Sequence, residues 1–327
     1  MKLYDKETKN RKIGETIFFW SILILPLIQF CIFYIGVNFN SILLSLKTYD
    51  YKTGEFYYSG FNNFILFFEQ FGKSGNLMWT YLENSLIFFL AGLGITTPLS
   101  ILFSYYIYKN GHRKFQKYTA SNAFAAVSKI LLFLPTVMPS IAIVLMYKYF
   151  GENSLPKMLN EIFGSNFTGL LSSSETNMIY MLCFCTLIGF GTDMILYTGA
   201  MSSIDDSLLE SAQIDGASPI RELTKIVLPA IYPTLSMKIV LSVAGIFTNQ
   251  AFLFSFYGAD SPYSLRTFGY YLFITVNNSP TMADYPYAAA MGIVFTLIAT
   301  PITLITKYLL EKYGPSQTKD GKIKVVK

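Results

Sequence analysis

The chain is written in blocks, with long uncharged apolar runs separated by polar stretches. A helix needs about 20 predominantly apolar residues to cross a bilayer. Six segments meet that requirement: 16–37, 84–108, 130–149, 177–201, 238–257 and 285–308. Pro26 marks a candidate kink in the first. Gly92, Gly94 and Pro98 loosen the middle of the second, and Pro135 and Pro139 fall inside the third. Such residues are tolerated in a bilayer where neighbours satisfy the freed backbone groups. The first segment stays uncharged from Thr16 to Leu46, longer than a signal-peptide core and without a clear small-residue cleavage site, so it reads as a retained span. The uncharged stretch 267–283 is short and holds Asn277, Asn278, Ser279 and Pro280. It reads as an external or re-entrant segment, not a seventh span. Between the first two spans, 49–78 is amphipathic and aromatic, which suits a helix lying at the membrane surface.

Composition agrees with this pattern. Of 327 residues, 52% are hydrophobic and 14% charged, with mean hydropathy +0.41. A soluble domain carries about a quarter charged residues. The charges then orient the chain. Of the 25 Lys and Arg, nineteen fall in the leader, the loop after the second span, the 201–238 region and the tail, and six fall on the opposite side. The positive-inside rule therefore puts both termini and the loop around 201–229 in the cytoplasm. The expected fold is an all-α polytopic membrane protein with six transmembrane helices. A basic leader spans 1–15, the membrane domain 16–312, and a lysine-rich tail, unstructured by composition, 313–327. Cys31, Cys183 and Cys185 all lie in apolar segments and read as buried packing residues. His112 sits in a basic loop as a solvated charge.

The most informative stretch is polar: 201–229, MSSIDDSLLESAQIDGASPIRELTKIVLP. Ser203 and Asp206 have capping-box spacing for a helix start. Leu208, Leu209, Ala212 and Ile214 give that helix an apolar side. Asp215-Gly216 breaks it, Ser218 can cap a second helix, and Pro219 suits that helix's first position. Asp205, Asp206, Glu210, Asp215 and Glu222 outnumber Arg221 and Lys225, the wrong balance for a helix-turn-helix that reads nucleic acid.

Glu210-x-Ala212, then Gly216, then Ile226-x-Leu228-Pro229 resembles the EAA loop of bacterial ABC importer permeases. The AQIDGAS string is similar to the version in the carbohydrate (maltose and glycerol-3-phosphate) group. Ser211 departs from the usual second Ala but is equally small. The 57–71 segment and Tyr285-Pro286-Tyr287-Ala288-Ala289-Ala290 also resemble that group, although Gly258-Ala259-Asp260-Ser261-Pro262 replaces its usual Gly-Gly-Pro turn. The resemblance covers about 15–312 and implies a coupling helix that docks on a cytoplasmic ATPase. Glu210 would be the polar contact, Ser211 and Ala212 the close-packed positions, and Asp215 with Gly216 the bend. It implies a second homologous permease, two ATPase subunits, an extracellular substrate-binding protein and surrounding lipid as partners, with no nucleic acid. ATP and Mg would bind the ATPase, leaving this chain without cofactor, catalytic residue or metal.

Gly72-Lys73-Ser74 lacks the upstream glycine of a phosphate loop, because position 67 is Phe67. Asn166-Phe167-Thr168 fits a sequon that is frequent by chance. Polar groups inside a span often mark a pathway, so Asp193, Asn249 and Gln250 are the candidate cargo contacts. Asp193 could equally bond a neighbouring helix, as could Asn249 and Gln250. No Lys or Arg is placed mid-span, which favours a neutral sugar. The alternatives are an ABC importer for a non-sugar solute, or an ion-coupled secondary transporter built on Asp193.

Overall fold

The computed structural model describes residues 2–73, 75, 77–111, 119–164, 166, 168–317 and 323–324. His112 and the basic residues 113–117 lie outside the described residues, as do Ser74, Phe167 of the sequon and most of the tail. Two compact units make up the chain: Met1–Gln70 with Thr275–Val294, and Phe71–Ile274 with Phe295–Lys327.

Four helices are long and apolar enough to cross a membrane, and two sharply bent pairs bring the total to as many as six. In the first unit, α1 (Gly14–Ser45) buries none of its apolar window. Its helix runs straight past Pro26, and the backbone turns π-helical at Phe30–Gly36 instead. The next stretch corrects the expected surface helix. Residues 47–58 form an antiparallel hairpin, β1 (Lys47–Asp50) on β2 (Glu55–Tyr58), and only α2 (Asn62–Gly72) is helical. Tyr and Phe suit a pleated strand. The turn is closed by Gly54 at φ 74 and by Asp50, whose carboxylate accepts from the Lys52 backbone N–H. With the two-residue pair β3 (Ser316–Gln317) and β4 (Ile323–Lys324), the chain is mostly rather than wholly α-helical.

In the second unit, α3 (Leu77–Lys109) matches the expected second span, and its π-helical stretch Gly92–Thr96 falls where the glycines cluster. The expected third span is not one rod. Helix α4 (Thr119–Val137) and α5 (Ser140–Phe163) meet at 108°. Pro139 is extended at φ −53, ψ 128, and restricts Met138 before it, so the helix must stop there. Helix α6 (Asn177–Met201) is the expected fourth span. It packs Tyr180 and Phe184 against Tyr147 and Phe256, and Gly151 lies so close to the Tyr180 ring that a Cβ there would sit 2.3 Å from it.

The polar stretch supplies α7 (Asp206–Ile214) and α8 (Pro219–Ala230), and α8 meets α9 (Tyr232–Ala244) at 70°. The fifth span was expected to continue from Lys238 through Tyr257, but α9 stops at Ala244. A turn containing Ala251 at φ 49 and Phe252 at φ 58 follows, then the short α10 (Leu253–Tyr257). Side chains satisfy the broken backbone: Asn249 Oδ1 accepts from Ala251 N at 2.9 Å, and Thr267 Oγ1 donates to the Asn249 carbonyl at 2.7 Å.

The uncharged stretch 267–283 contains α11 (Phe268–Asn277), whose ten residues reach about 15 Å, half a hydrocarbon core. Its start is wedged into the break, with Phe268 ringed by Phe71, Tyr81, Phe247 and Phe295. A Cβ on Gly269 would lie 2.5 Å from the Thr248 backbone. The last long helix is α12 (Tyr285–Tyr313). Cysteines depart from expectation: Cys31 and Cys183 are exposed, and only Cys185 packs inward, its thiol 3.7 Å from the Ala251 carbonyl.

Because the neighbours of Gly269 are backbone atoms, they cannot step aside. We expect Gly269→Ala to destabilise the detergent-solubilised protein by about 1–3 kcal/mol. Gly292→Ala, which meets no atom within 4 Å, should leave the thermal midpoint unchanged. Equal midpoints for the two variants would refute the close-packing account.

Candidate functional site

Two places carry the candidate chemistry, the α7–α8 loop and a cavity between α3, α6 and α9. The loop begins differently from the capping box read in the sequence. Ser203 Oγ donates back to the Ala200 carbonyl, and Asp205 is the cap, its Oδ1 accepting from Ser207 N at 3.0 Å. The Ser207 backbone N–H, with its hydroxyl, holds the Asp205 carboxyl below the usual carboxylate range. That contribution to the helix start is present above the ordinary carboxylate pKa and is lost as pH falls through the lowered value. Gly216 ends α7 at φ 70, with Ala217 N bonded to the Ala212 carbonyl. Ser218 Oγ accepts from Arg221 N, and Pro219 opens α8, as the spacing predicts.

The apolar side of α7 divides. Leu209 is buried with Ile101, Tyr108, Tyr197, Met201, Leu223 and Val227, and Ala212 is buried as well. Leu208, Ile214 and Ile220 instead point outward at 48%, 86% and 76% exposure, beside the exposed Glu210, Ser211, Asp215 and Gly216. A polar loop thus leaves three apolar side chains uncovered. Buried behind it is an ion pair that the sequence did not reveal, Lys109 Nζ to Glu222 Oε2 at 2.7 Å. The two residues are 113 positions apart, and each reads locally as a solvated charge.

The cavity is about 380 Å³. Thr96 of α3, Thr186 and Asp193 of α6, and Lys238, Ser242 and Asn249 on and after α9 line it. Asp193 and Asn249 are therefore brought together, whereas Gln250 lies outside that lining. Asp193 lines the cavity and is bonded to a neighbouring helix through Lys238 Nζ, 2.5 Å from Oδ1. Lys238 overturns the expectation that no cation stands mid-span. It had been grouped with the cytoplasmic loop, yet α9 starts six residues earlier, at Tyr232. The signal was available, because Lys238 is followed by Ile239, Val240 and Leu241 and belongs to an apolar helix. The Asp193 side chain is 5% exposed and that of Lys238 30%, so the cavity meets the ammonium before the carboxylate.

A family model described as the binding-protein-dependent transport system inner membrane component matches residues 115–314. The chain belongs to that family. The family is a membrane-embedded part of transport systems and not an enzyme. Among its relatives, the probable ABC transporter permease protein YesP of Bacillus subtilis is 27% identical over 81% of each chain. The multiple sugar-binding transport system permease protein MsmF of Streptococcus mutans is 22% identical over 93% of this chain and 98% of its own. The maltose/maltodextrin permease MalF of Escherichia coli is 33% identical over 38% of this chain and 24% of its own. A chain of a bacterial alginate ABC transporter, solved in complex with an alginate pentasaccharide-bound periplasmic protein, shares the fold with a TM-score of 0.73. It is 21% identical, covering 92% of this chain and 96% of that one. The family's multi-pass inner-membrane character agrees with the apolar helices described above.

Removing one member of a buried ion pair leaves the other charge stranded and costs about 3–5 kcal/mol, with the exposure of Lys238 putting this case at the lower end. We expect Asp193→Asn to lower the thermal midpoint in detergent, and Asp193→Leu combined with Lys238→Met to recover most of the loss. A double variant no better than the single one would mean that Asp193 acts through some contact other than Lys238.

Proposed function

We propose that the chain is the transmembrane permease subunit of an ATP-driven importer that brings a sugar or oligosaccharide into the cell. Its six crossings count each bent pair as one, with both termini in the cytoplasm. The observation that carries the reading is the exposure of Leu208, Ile214 and Ile220 on an otherwise polar loop. Exposed apolar surface of this kind marks a protein contact. The lysine asymmetry of the chain puts the loop on the side where ATP is found. Two ATPase subunits dock there and hold ATP and Mg, so this chain needs no cofactor of its own. Glu210 supplies a polar contact at the rim, Ser211 and Ala212 keep the helix close, and Asp215-Gly216 sets the angle between α7 and α8.

A second homologous permease completes the cavity, and an extracellular binding protein delivers the cargo. Asn249 and Asp193 contribute to the cargo path, with Thr96, Thr186 and Ser242 offering hydroxyls to a sugar. Gln250 serves the turn, since its carbonyl accepts from Leu253 N. Nucleotide and binding protein bias two packings of the helices, one open to each side. The sugar-transport names of the relatives support the cargo class. A solute that carries a negative charge is the second reading, and Lys238 at the cavity wall favours it. Asp193 already holds Lys238, which removes the acidic group that an ion-coupled transporter would have used.

The test is assembly and coupling in the native membrane. A large side chain at Gly216 must adopt φ near 70, which costs about 1–2 kcal/mol and distorts the bend. We expect Gly216→Leu to insert normally and abolish ATP-dependent uptake, and Ile214→Asp to lose the ATPase on mild-detergent purification. Normal uptake by Gly216→Leu together with ATPase retention by Ile214→Asp would defeat the coupling-loop reading.

A further inference from the structure

The Lys109–Glu222 pair is the one ion pair among the described residues that joins the α7–α8 loop to a membrane helix. Its side chains are 16% and 3% exposed. Lys109 Nζ also donates to the Tyr105 hydroxyl at 3.0 Å and lies 5.4 Å above the Tyr105 ring. The surroundings are apolar, with Ile101, Tyr108, Leu223 and Val227 in the same cluster. Attraction between opposite charges grows as the effective dielectric constant falls, so the contact is firm at this depth. Apolar side chains can slide past one another at little cost, whereas an ion pair fixes one atom against another.

The two ends of the pair sit on different parts of the proposed machine. Glu222 is in α8, three residues after Pro219 and six after the Gly216 bend. Lys109 is in the last turn of α3, a helix that runs on to Gly111, and the same helix carries Gly92, Leu93 and Thr96 to the cavity wall. Those residues lie in the π-helical stretch Gly92–Thr96, where the regular hydrogen-bond ladder is already interrupted and a helix bends most readily.

Building on the coupling-loop reading above, we infer that Lys109 and Glu222 are the positioning contact through which movement of the loop is passed to the cavity wall. When the ATPases shift the loop, Glu222 carries Lys109 with it. The lever then turns at Gly92–Thr96 and moves Leu93 and Thr96 relative to α6. Neither residue touches cargo or nucleotide.

The test uses the complete complex purified with its ATPases and reconstituted in lipid nanodiscs. Cys31, Cys183 and Cys185 are replaced by Ser, and Leu93→Cys reports on the cavity wall through its rate of reaction with a maleimide. The rate is compared with and without ATP and vanadate. Lys109→Met with Glu222→Met removes the pair without stranding a charge, and Lys109→Glu with Glu222→Lys restores it in reverse. We expect the double-methionine complex to retain its ATPases and hydrolyse ATP while its nucleotide-dependent change in labelling falls about tenfold, within the usual span of coupling strengths. The reversed pair should regain the response. A merely structural pair would change thermal stability and leave the labelling response intact, so a double-methionine complex that responds like the unmodified one overturns the inference. A reversed pair that assembles without responding overturns it as well. If the unmodified chain brings down no ATPase, the coupling-loop reading itself fails and this inference fails with it.

Discussion

Hydrocarbon offers a polar group no water to bond, and the arrangement of the second unit follows from that constraint. Among the described residues the two buried carboxylates are each paired with an ammonium group, Asp193 with Lys238 and Glu222 with Lys109. Several freed backbone groups are met by side chains. Asn249 and Thr267 do so at the end of α9, and Asn84 holds the Ser264 and Arg266 carbonyls in the loop before α11.

That rule also explains how far the fold could be read from the sequence. Length and hydropathy are enough to find α3, α6 and α12, because twenty apolar residues in a row have few other uses. The loop from Met201 to Pro229 was legible for a different reason. Gly216 and the Ser218-Pro219 start are local signals, each decided by the backbone conformation of one or two residues. The breaks at Pro139 and at Ala244 were less visible. Proline within a span usually bends a helix slightly, and nothing nearby states that Pro139 turns the chain through 108°. The end of α9 depends on Thr267 and Gly269, which lie well beyond Ala244 in sequence and reach it only in the folded chain.

The candidate site divides along the same line. Gly216 and Asp215 stand where local reasoning puts them, and the outward faces of Ile214 and Ile220 follow once Leu209 and Ala212 are buried. The ion pairs did not emerge, since a lone charge in a sequence has no visible partner. Lys238 was misplaced by a boundary error of six residues, a small shift along the chain that moved an ammonium group from a loop to a cavity wall. Asn249, singled out for its polarity, lines the cavity and also supports the turn at Ala251 through its carboxamide.

The wedge formed by Gly269 against Thr248 and Asn249 separates what shapes the cavity from what decorates it. At that contact main chain rests on main chain, without a side chain between them. Ser242 can be exchanged without disturbing it, whereas Thr96 and Thr186, bonded to each other at 3.3 Å, change as a pair. On the importer reading, descendants of such a chain would change what they carry by small steps in those hydroxyls, over a backbone contact that stays fixed.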